Sequence, residues 1–210
     1  MNLYCIRHGE SVYNADGRIQ GQEDIPLSPL GLRQSAALAG PFESLPIQAI
    51  YCSPLQRALQ TAQPLADLLR LKIISDDRLM EIHAGVFQGL TWPVIEVRYP
   101  SESSRWKSHE LDFVIPGGES RSELQARGMA VLNEIRAAGH EQVVVVSHGG
   151  LLSAALKGLL QIPEQLNPFR FYNAAINQFE WEDQLKIVAI NRVEHLRAIN
   201  ADRATRTGDL

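Results

Sequence analysis

Two histidines followed by glycine, in Ile6-Arg7-His8-Gly9 and Val146-Ser147-His148-Gly149, are the residues whose types and spacing point most directly to chemistry. An imidazole offers a nucleophilic nitrogen, and an adjacent arginine offers a planar charged fork that matches a phosphoryl group. Arg57, in Ser53-Pro54-Leu55-Gln56-Arg57-Ala58, supplies a second fork. Together His8, His148, Arg7 and Arg57 would form a pocket for a dianionic phosphoryl group. The neighbouring glycines leave backbone N–H groups open, and helix N-termini add positive potential toward an anion. A pair of histidines could instead ligate a metal. Two arginines beside them would repel a dication, and no acidic cluster nearby completes a ligand set, so no metal and no cofactor are expected.

These side chains converge only if their strands are neighbours. Leu3 to Ile6 is a run of strand formers leading into Arg7, and Ala49 to Cys52 is a second such run. Four consecutive valines, Val143 to Val146, mark a strand buried on both faces and therefore central. Leu71 to Ile74 reads as a short third strand. Ile176–Trp181 and Leu185–Ile190 alternate as a hairpin around Glu182-Asp183-Gln184. Between them lie helices. Ser11 to Arg18 would be short and closed by Asp16-Gly17; Ser28-Pro29 and Ser53-Pro54 each pair an N-cap serine with a proline at the first helical position. Trp92 to Ser108 reads as short helices broken at Pro100, and a longer helix runs from Ser120 to about Ala138. Strands alternating with helices predict an α/β fold, a three-layer α/β/α sandwich with a mostly parallel central sheet. One domain over residues 1–210 is expected, with a loose carboxyl tail from about residue 195.

Composition narrows the function classes. A net charge of −4 over 210 residues carries no basic footprint for nucleic acid and no polybasic membrane signal. An anion site must then be a local concentration of Arg and His against an acidic background. No apolar run is long enough to cross a membrane, and the amino end has no basic region followed by an apolar stretch, so a cytoplasmic protein is expected. Cys5 and Cys52 lie in apolar runs and read as buried free thiols. The last hairpin could offer an edge strand to a second copy, as a homodimer.

The motifs Arg7-His8-Gly9-Glu10, Ser53-Pro54-Leu55-Gln56-Arg57-Ala58, Leu79-Met80-Glu81-Ile82 and Ser147-His148-Gly149-Gly150 follow one another in that order. With them the chain resembles the histidine phosphatase superfamily, the phosphoglycerate mutase-like proteins, over nearly its whole length. The resemblance implies that His8 is the nucleophile and passes through a phosphohistidine. It implies that Arg7, Arg57 and His148 bind the equatorial oxygens where transition-state charge gathers. Asn14, Gln20 and the Gly149 N–H would add contacts to the phosphate or substrate. Glu81 would protonate the leaving oxygen and then activate water, a double duty that a nearby phosphate dianion assists.

The segment from Glu81 to Pro116 is short and lacks the adjacent arginine pair with which mutases of this family grip a carboxylate. A phosphatase acting on a small phosphorylated metabolite is therefore expected ahead of a phosphoglycerate mutase. His83, Trp106, Lys107 and His109 are the candidates for lining the mouth. Their cationic character suits a substrate with a carboxylate, and phosphoserine is the first expectation. A non-catalytic phospho-ligand binding module on the same fold is the alternative of a different class.

Overall fold

The computed structural model describes residues 1–163 and 166–199. Its six strands form one sheet: β1 (Asn2–Arg7), β2 (Ala49–Cys52), β3 (Ile73–Ser75), β4 (Gln142–Ser147), β5 (Ile176–Trp181) and β6 (Leu185–Arg192). The spatial order is β3-β2-β4-β1-β5-β6. The pairs β2–β3, β2–β4 and β1–β4 are parallel, while β1–β5 and β5–β6 are antiparallel. The expected mostly parallel sheet is thus present, with the hairpin appended to one edge.

Among the described residues, seven α-helices cover it: α1 (Val12–Asp16), α2 (Pro29–Leu38), α3 (Gln56–Leu69), α4 (Trp92–Arg98), α5 (Pro100–Lys107), α6 (Arg121–Ala137) and α7 (Gly149–Leu159). Successive side chains of a strand face opposite ways. Leu3, Cys5, Val143 and Val145 accordingly enter one apolar core with Leu124, Leu132, Leu151 and Leu156 of α6 and α7. Tyr4, Ile6, Val144 and Val146 enter a second with Leu38, Ala58, Ala62 and Leu65 of α2 and α3. That double burial is why the valine run contains no polar residue. Cys5 and Cys52 are free and buried, and burial pushes both thiols up, away from the reactive thiolate.

Three local expectations shift. The third strand starts at Ile73 rather than Leu71, because Arg70 takes a left-handed conformation (φ 56°) to close α3 and the Leu71 N–H bonds back to the Ala66 carbonyl. Helix α3 opens at Gln56, with Leu55 rather than Ser53 before it. The Ser53 hydroxyl is taken by His148 instead, at 2.8 Å. The tail does not begin loosely at residue 195: a 3-10 turn at Glu194–Leu196 buries Leu196 beside α2, and His195 Nε2 meets the Ala174 carbonyl at 3.0 Å. Residues 200–210 of that tail lie outside the described residues. Among the described residues no helix is long and apolar enough to cross a membrane.

The turn leaving β1 is pinned against the start of α2. Ser28, the N-cap of α2, bonds Glu10 through its backbone N–H (2.8 Å) and its hydroxyl (2.7 Å), and Gln34 accepts from the Glu10 N–H at 2.8 Å. The chains approach so closely that a Cβ on Gly31 would sit 1.9 Å from the Glu10 carbonyl oxygen. Since that neighbour is backbone, Gly31→Ala should destabilise the fold by roughly 1–3 kcal/mol, as overpacking does. Chemical denaturation of the two proteins checks this, and equal midpoints would contradict it.

Candidate active site

Strands β1, β2 and β4 run in one direction, so Arg7, Cys52 and Ser147 end at the same sheet edge, where open α/β folds bind ligands. The next residues, His8, Ser53 and His148, are therefore neighbours. The two imidazoles stand 5.1 Å apart between centroids, tilted by 58°. Arg7, His8, Arg57 and His148 are all essentially inaccessible to solvent.

Each buried charge is held by carbonyl oxygens. Arg7 Nη1 donates to Phe171 O at 2.9 Å. Arg57 donates from Nη1 to Glu23 O (2.8 Å), from Nη2 to Gly21 O (2.7 Å) and from Nε to His148 Nδ1 (3.2 Å). Because that Nε can only donate, His148 Nδ1 must accept, which puts the ring proton on Nε2, where it donates to Ser53 Oγ. His8 is set the other way round: its Nδ1 lies 2.7 Å from the Gly9 carbonyl, so Nδ1 carries the proton and Nε2 keeps its lone pair.

Burial, followed by the charges of Arg57 and Arg7, lowers the His8 pKa well below its ordinary 6.5. Burial and Arg57, with smaller contributions from His8, Arg127 and Arg7, lower that of His148 in the same direction. Both rings are neutral near pH 7.

Asn14 is oriented by two demands on its Oδ1, which accepts from the Ser11 N–H (3.2 Å) in the capping box of α1 and from Asn173 Nδ2 (3.3 Å). Its Nδ2 is buried and finds no acceptor among the described residues. Gln20 is buried, its Oε1 accepting from Ser11 Oγ at 2.6 Å.

Glu81 enters from the segment after β3. Its carboxylate takes the N–H groups of Ile82 (2.9 Å) and Leu151 (3.0 Å) on Oε1 and of Gly150 (3.0 Å) on Oε2. Two of these belong to the first turn of α7, so the acid sits on the positive end of that helix. A Cβ on Gly150 would lie 2.5 Å from Glu81 Oε1. The glycine therefore makes room for the carboxylate.

His83 is partly buried two residues after Glu81; its Nδ1 accepts from the Gly85 N–H at 3.2 Å, and it stands outside the cavity that adjoins α7, as His8, Arg57 and His148 do. That cavity, of about 500 Å³, includes Gly149 and Gly150, Phe171 beside Arg7, and the expected mouth residues Trp106, Lys107 and His109. Among the described residues no three His, Cys, Asp or Glu side chains cluster as a metal site.

Several supporting residues escaped the sequence reading. Thr61 Oγ1 accepts the Gly9 N–H at 2.9 Å, and Asn173 Nδ2 holds the His8 carbonyl at 2.9 Å. Arg127 grips three carbonyls, those of Arg78 (2.8 Å), Met80 (2.6 Å) and Glu81 (2.8 Å), while pairing with Glu119 at 2.6 Å. Glu119 in turn accepts the His83 N–H at 2.8 Å. No local pattern marks these residues, since each acts on a segment far away in sequence.

The histidine phosphatase superfamily (branch 1) matches residues 3–192. The chain belongs to this family. Among relatives, the metal-independent phosphoserine phosphatase of Arabidopsis thaliana is 37% identical over 204 residues, spanning 94% of this chain and 84% of that protein. A Yersinia enterocolitica protein named "Probable phosphoglycerate mutase GpmB" is 34% identical, over 87% and 86% of the two chains. Among solved structures, a phosphoserine phosphatase mutant from Entamoeba histolytica in complex with phosphoserine superposes with a TM-score of 0.82 at 28% identity, over 93% and 98%.

Two outcomes are expected of this histidine phosphatase. An unfolded chain protonates its histidines near pH 6.5, whereas His8 and His148 stay neutral in the fold. The unfolded state then binds more protons, so stability is full above that pH and is lost below it, by up to about 1.4 kcal/mol per pH unit for each ring. Thermal melts should fall from pH 7.5 toward pH 5, less steeply in His148→Asn; identical slopes would contradict the neutral assignment. Second, Glu119→Gln loosens the clamp on the Glu81 segment. It should lower kcat by about 10- to 100-fold with KM nearly unchanged, and a change confined to KM would show that the clamp does not position Glu81.

Proposed function

We propose that the protein is a metal-independent phosphomonoesterase that hydrolyses a small phosphorylated metabolite through a phosphohistidine on His8. The observation that carries this reading is the state of His8. It is neutral, has its Nδ1 proton fixed on the Gly9 carbonyl, and lies among two buried arginines. Such a ring presents Nε2 as a nucleophile toward an anion that the arginines attract.

In the first step Nε2 attacks phosphorus in line, and the bond to the leaving oxygen breaks. Arg7, Arg57 and Asn14 offer donors to the equatorial oxygens, with Gln20 and the Gly149 N–H as further contacts; His148 joins them when its Nε2 proton turns from Ser53 Oγ to a phosphoryl oxygen. Glu81, as the acid, gives its proton to the leaving oxygen. Three backbone N–H groups face that carboxylate. Its proton is taken up from solvent, or from the monoanion of the ester, as the substrate binds, drawn by the phosphate charge beside it. In the second step the Glu81 carboxylate takes a proton from water as its oxygen attacks phosphorus. The N–P bond breaks, and inorganic phosphate leaves with His8 neutral again.

Phosphoserine is the first substrate to try, supported by the phosphoserine phosphatases among the relatives and by the cationic cavity next to the site. Phosphate release from phosphoserine should persist in EDTA and disappear in His8→Ala. Glu81→Gln should lose about 10²–10⁴-fold in kcat on phosphoserine, and much less on p-nitrophenyl phosphate, whose leaving oxygen needs no proton. Conversion of 3-phosphoglycerate to 2-phosphoglycerate without phosphate release would replace this reading with a mutase. Binding without turnover of any ester would replace it with a phospho-ligand module.

A further inference from the structure

Strands β5 and β6 lose register near the site. Two steps along β5, from Ile176 to Gln178, face three along β6, from Arg192 back to Ala189. A bulge of this kind takes one residue out of the ladder and re-aims its side chain. Asn191 lies inside it, in a left-handed conformation (φ 55°) that asparagine adopts more readily than most residues. Its main-chain N–H donates to Asn177 Oδ1 at 2.8 Å, and buried Asn177 donates in turn to the Cys5 carbonyl of β1 at 2.9 Å. The Asn191 side chain then bridges the segment that passes over Arg7. Its Nδ2 donates to the Arg170 carbonyl at 2.7 Å, and its Oδ1 accepts from the Tyr172 N–H at 2.9 Å. A carbonyl only accepts and an N–H only donates, so these partners fix which way the amide faces.

The Tyr172 N–H and the Phe171 carbonyl belong to one peptide plane, and in a trans peptide they point to opposite sides. Asn191 holds the N–H side, while Arg7 Nη1 donates to the carbonyl side at 2.9 Å. With its N–H pinned, the plane cannot swing its carbonyl away from the guanidinium, and the first bond polarises that carbonyl into a stronger acceptor. The segment holds Arg7 a second time. The Ala174 N–H donates to the Arg7 carbonyl at 2.9 Å, and the Ala174 carbonyl is met by His195 Nε2 at 3.0 Å.

We propose that Asn191 is a positioning residue for phosphoryl transfer. From a bulge in the edge strand, and through the Phe171–Tyr172 peptide, it aims the Arg7 guanidinium at the phosphoryl oxygens. This rests on the phosphate-binding role of Arg7 proposed above.

The test is a double-mutant cycle on hydrolysis of p-nitrophenyl phosphate, with Asn191→Gly, Arg7→Met and the pair. Glycine keeps the left-handed backbone without strain and removes both amide contacts. A misaimed arginine should lower kcat/KM by about 10- to 100-fold in Asn191→Gly. In the Arg7→Met background there is no guanidinium to aim, and the same substitution should change kcat/KM by less than about twofold. An equal loss in both backgrounds would assign Asn191 to the fold alone and overturn the proposal, as would wild-type kcat/KM in Asn191→Gly. Should either variant not fold, Asn191→Ser, too short to bridge both partners, or Arg7→Lys, a point charge with no fork to aim, replaces it in the cycle. If the wild type hydrolyses no ester, the catalytic reading fails, and calorimetric titration with inorganic phosphate decides the aim of Arg7 by itself. Weaker binding to Asn191→Gly than to wild type, with no further weakening between Arg7→Met and the pair, supports the proposal. Equal binding to wild type and Asn191→Gly, or no binding to either, overturns it.

Discussion

Two guanidinium groups buried beside two neutral imidazoles are the constraint on which the rest of this structure depends. A buried charge is costly unless its surroundings satisfy it. Here the carbonyls of Phe171, Gly21 and Glu23 orient Arg7 and Arg57 without cancelling their charge. Burial first, and then the same field that would draw in a phosphoryl dianion, keeps protons off His8 and His148, so the arginines serve both affinity for the anion and nucleophilicity of the ring. The parallel sheet delivers these groups to a single edge. The pinning of the β1 turn on α2, and of His8 by Asn173, keeps them there.

Helix α7 answers that charge from the other side. Its first turn holds the Glu81 carboxylate, Gly150 leaves space for it, and Arg127 with Glu119 fixes the segment from which it comes. The same helix face lines the adjoining cavity with Ser153, Ala154 and Lys157. One element therefore organises both the proposed proton-transfer group and the space for the leaving group. This arrangement lets the acid and the leaving oxygen be placed relative to each other by a rigid rod rather than by a loop.

Much of this was legible in the sequence because strands announce what they deliver. Leu3–Ile6 and Val143–Val146 could be read as buried, so the polar residues directly after them had to emerge at a sheet edge. The resemblance then placed Glu81. Two kinds of information were out of reach. Side chains that work across long sequence gaps, such as Thr61, Asn173 and Arg127, have no local signature, because their partners are backbone atoms of any residue type. Local rules also yield where the site makes a stronger demand. Ser53-Pro54 reads as a helix start, but the Ser53 hydroxyl meets His148 at 2.8 Å and the helix opens later, at Gln56.

The central claim is that His8 Nε2 forms a bond to phosphorus. Rapid acid-free quenching of the enzyme with ³²P-labelled phosphoserine, followed by digestion and mass spectrometry, tests it directly. The account predicts base-stable, acid-labile label on the peptide carrying His8, appearing before inorganic phosphate. Steady phosphate release with no label on the protein, or label on another residue, would contradict it.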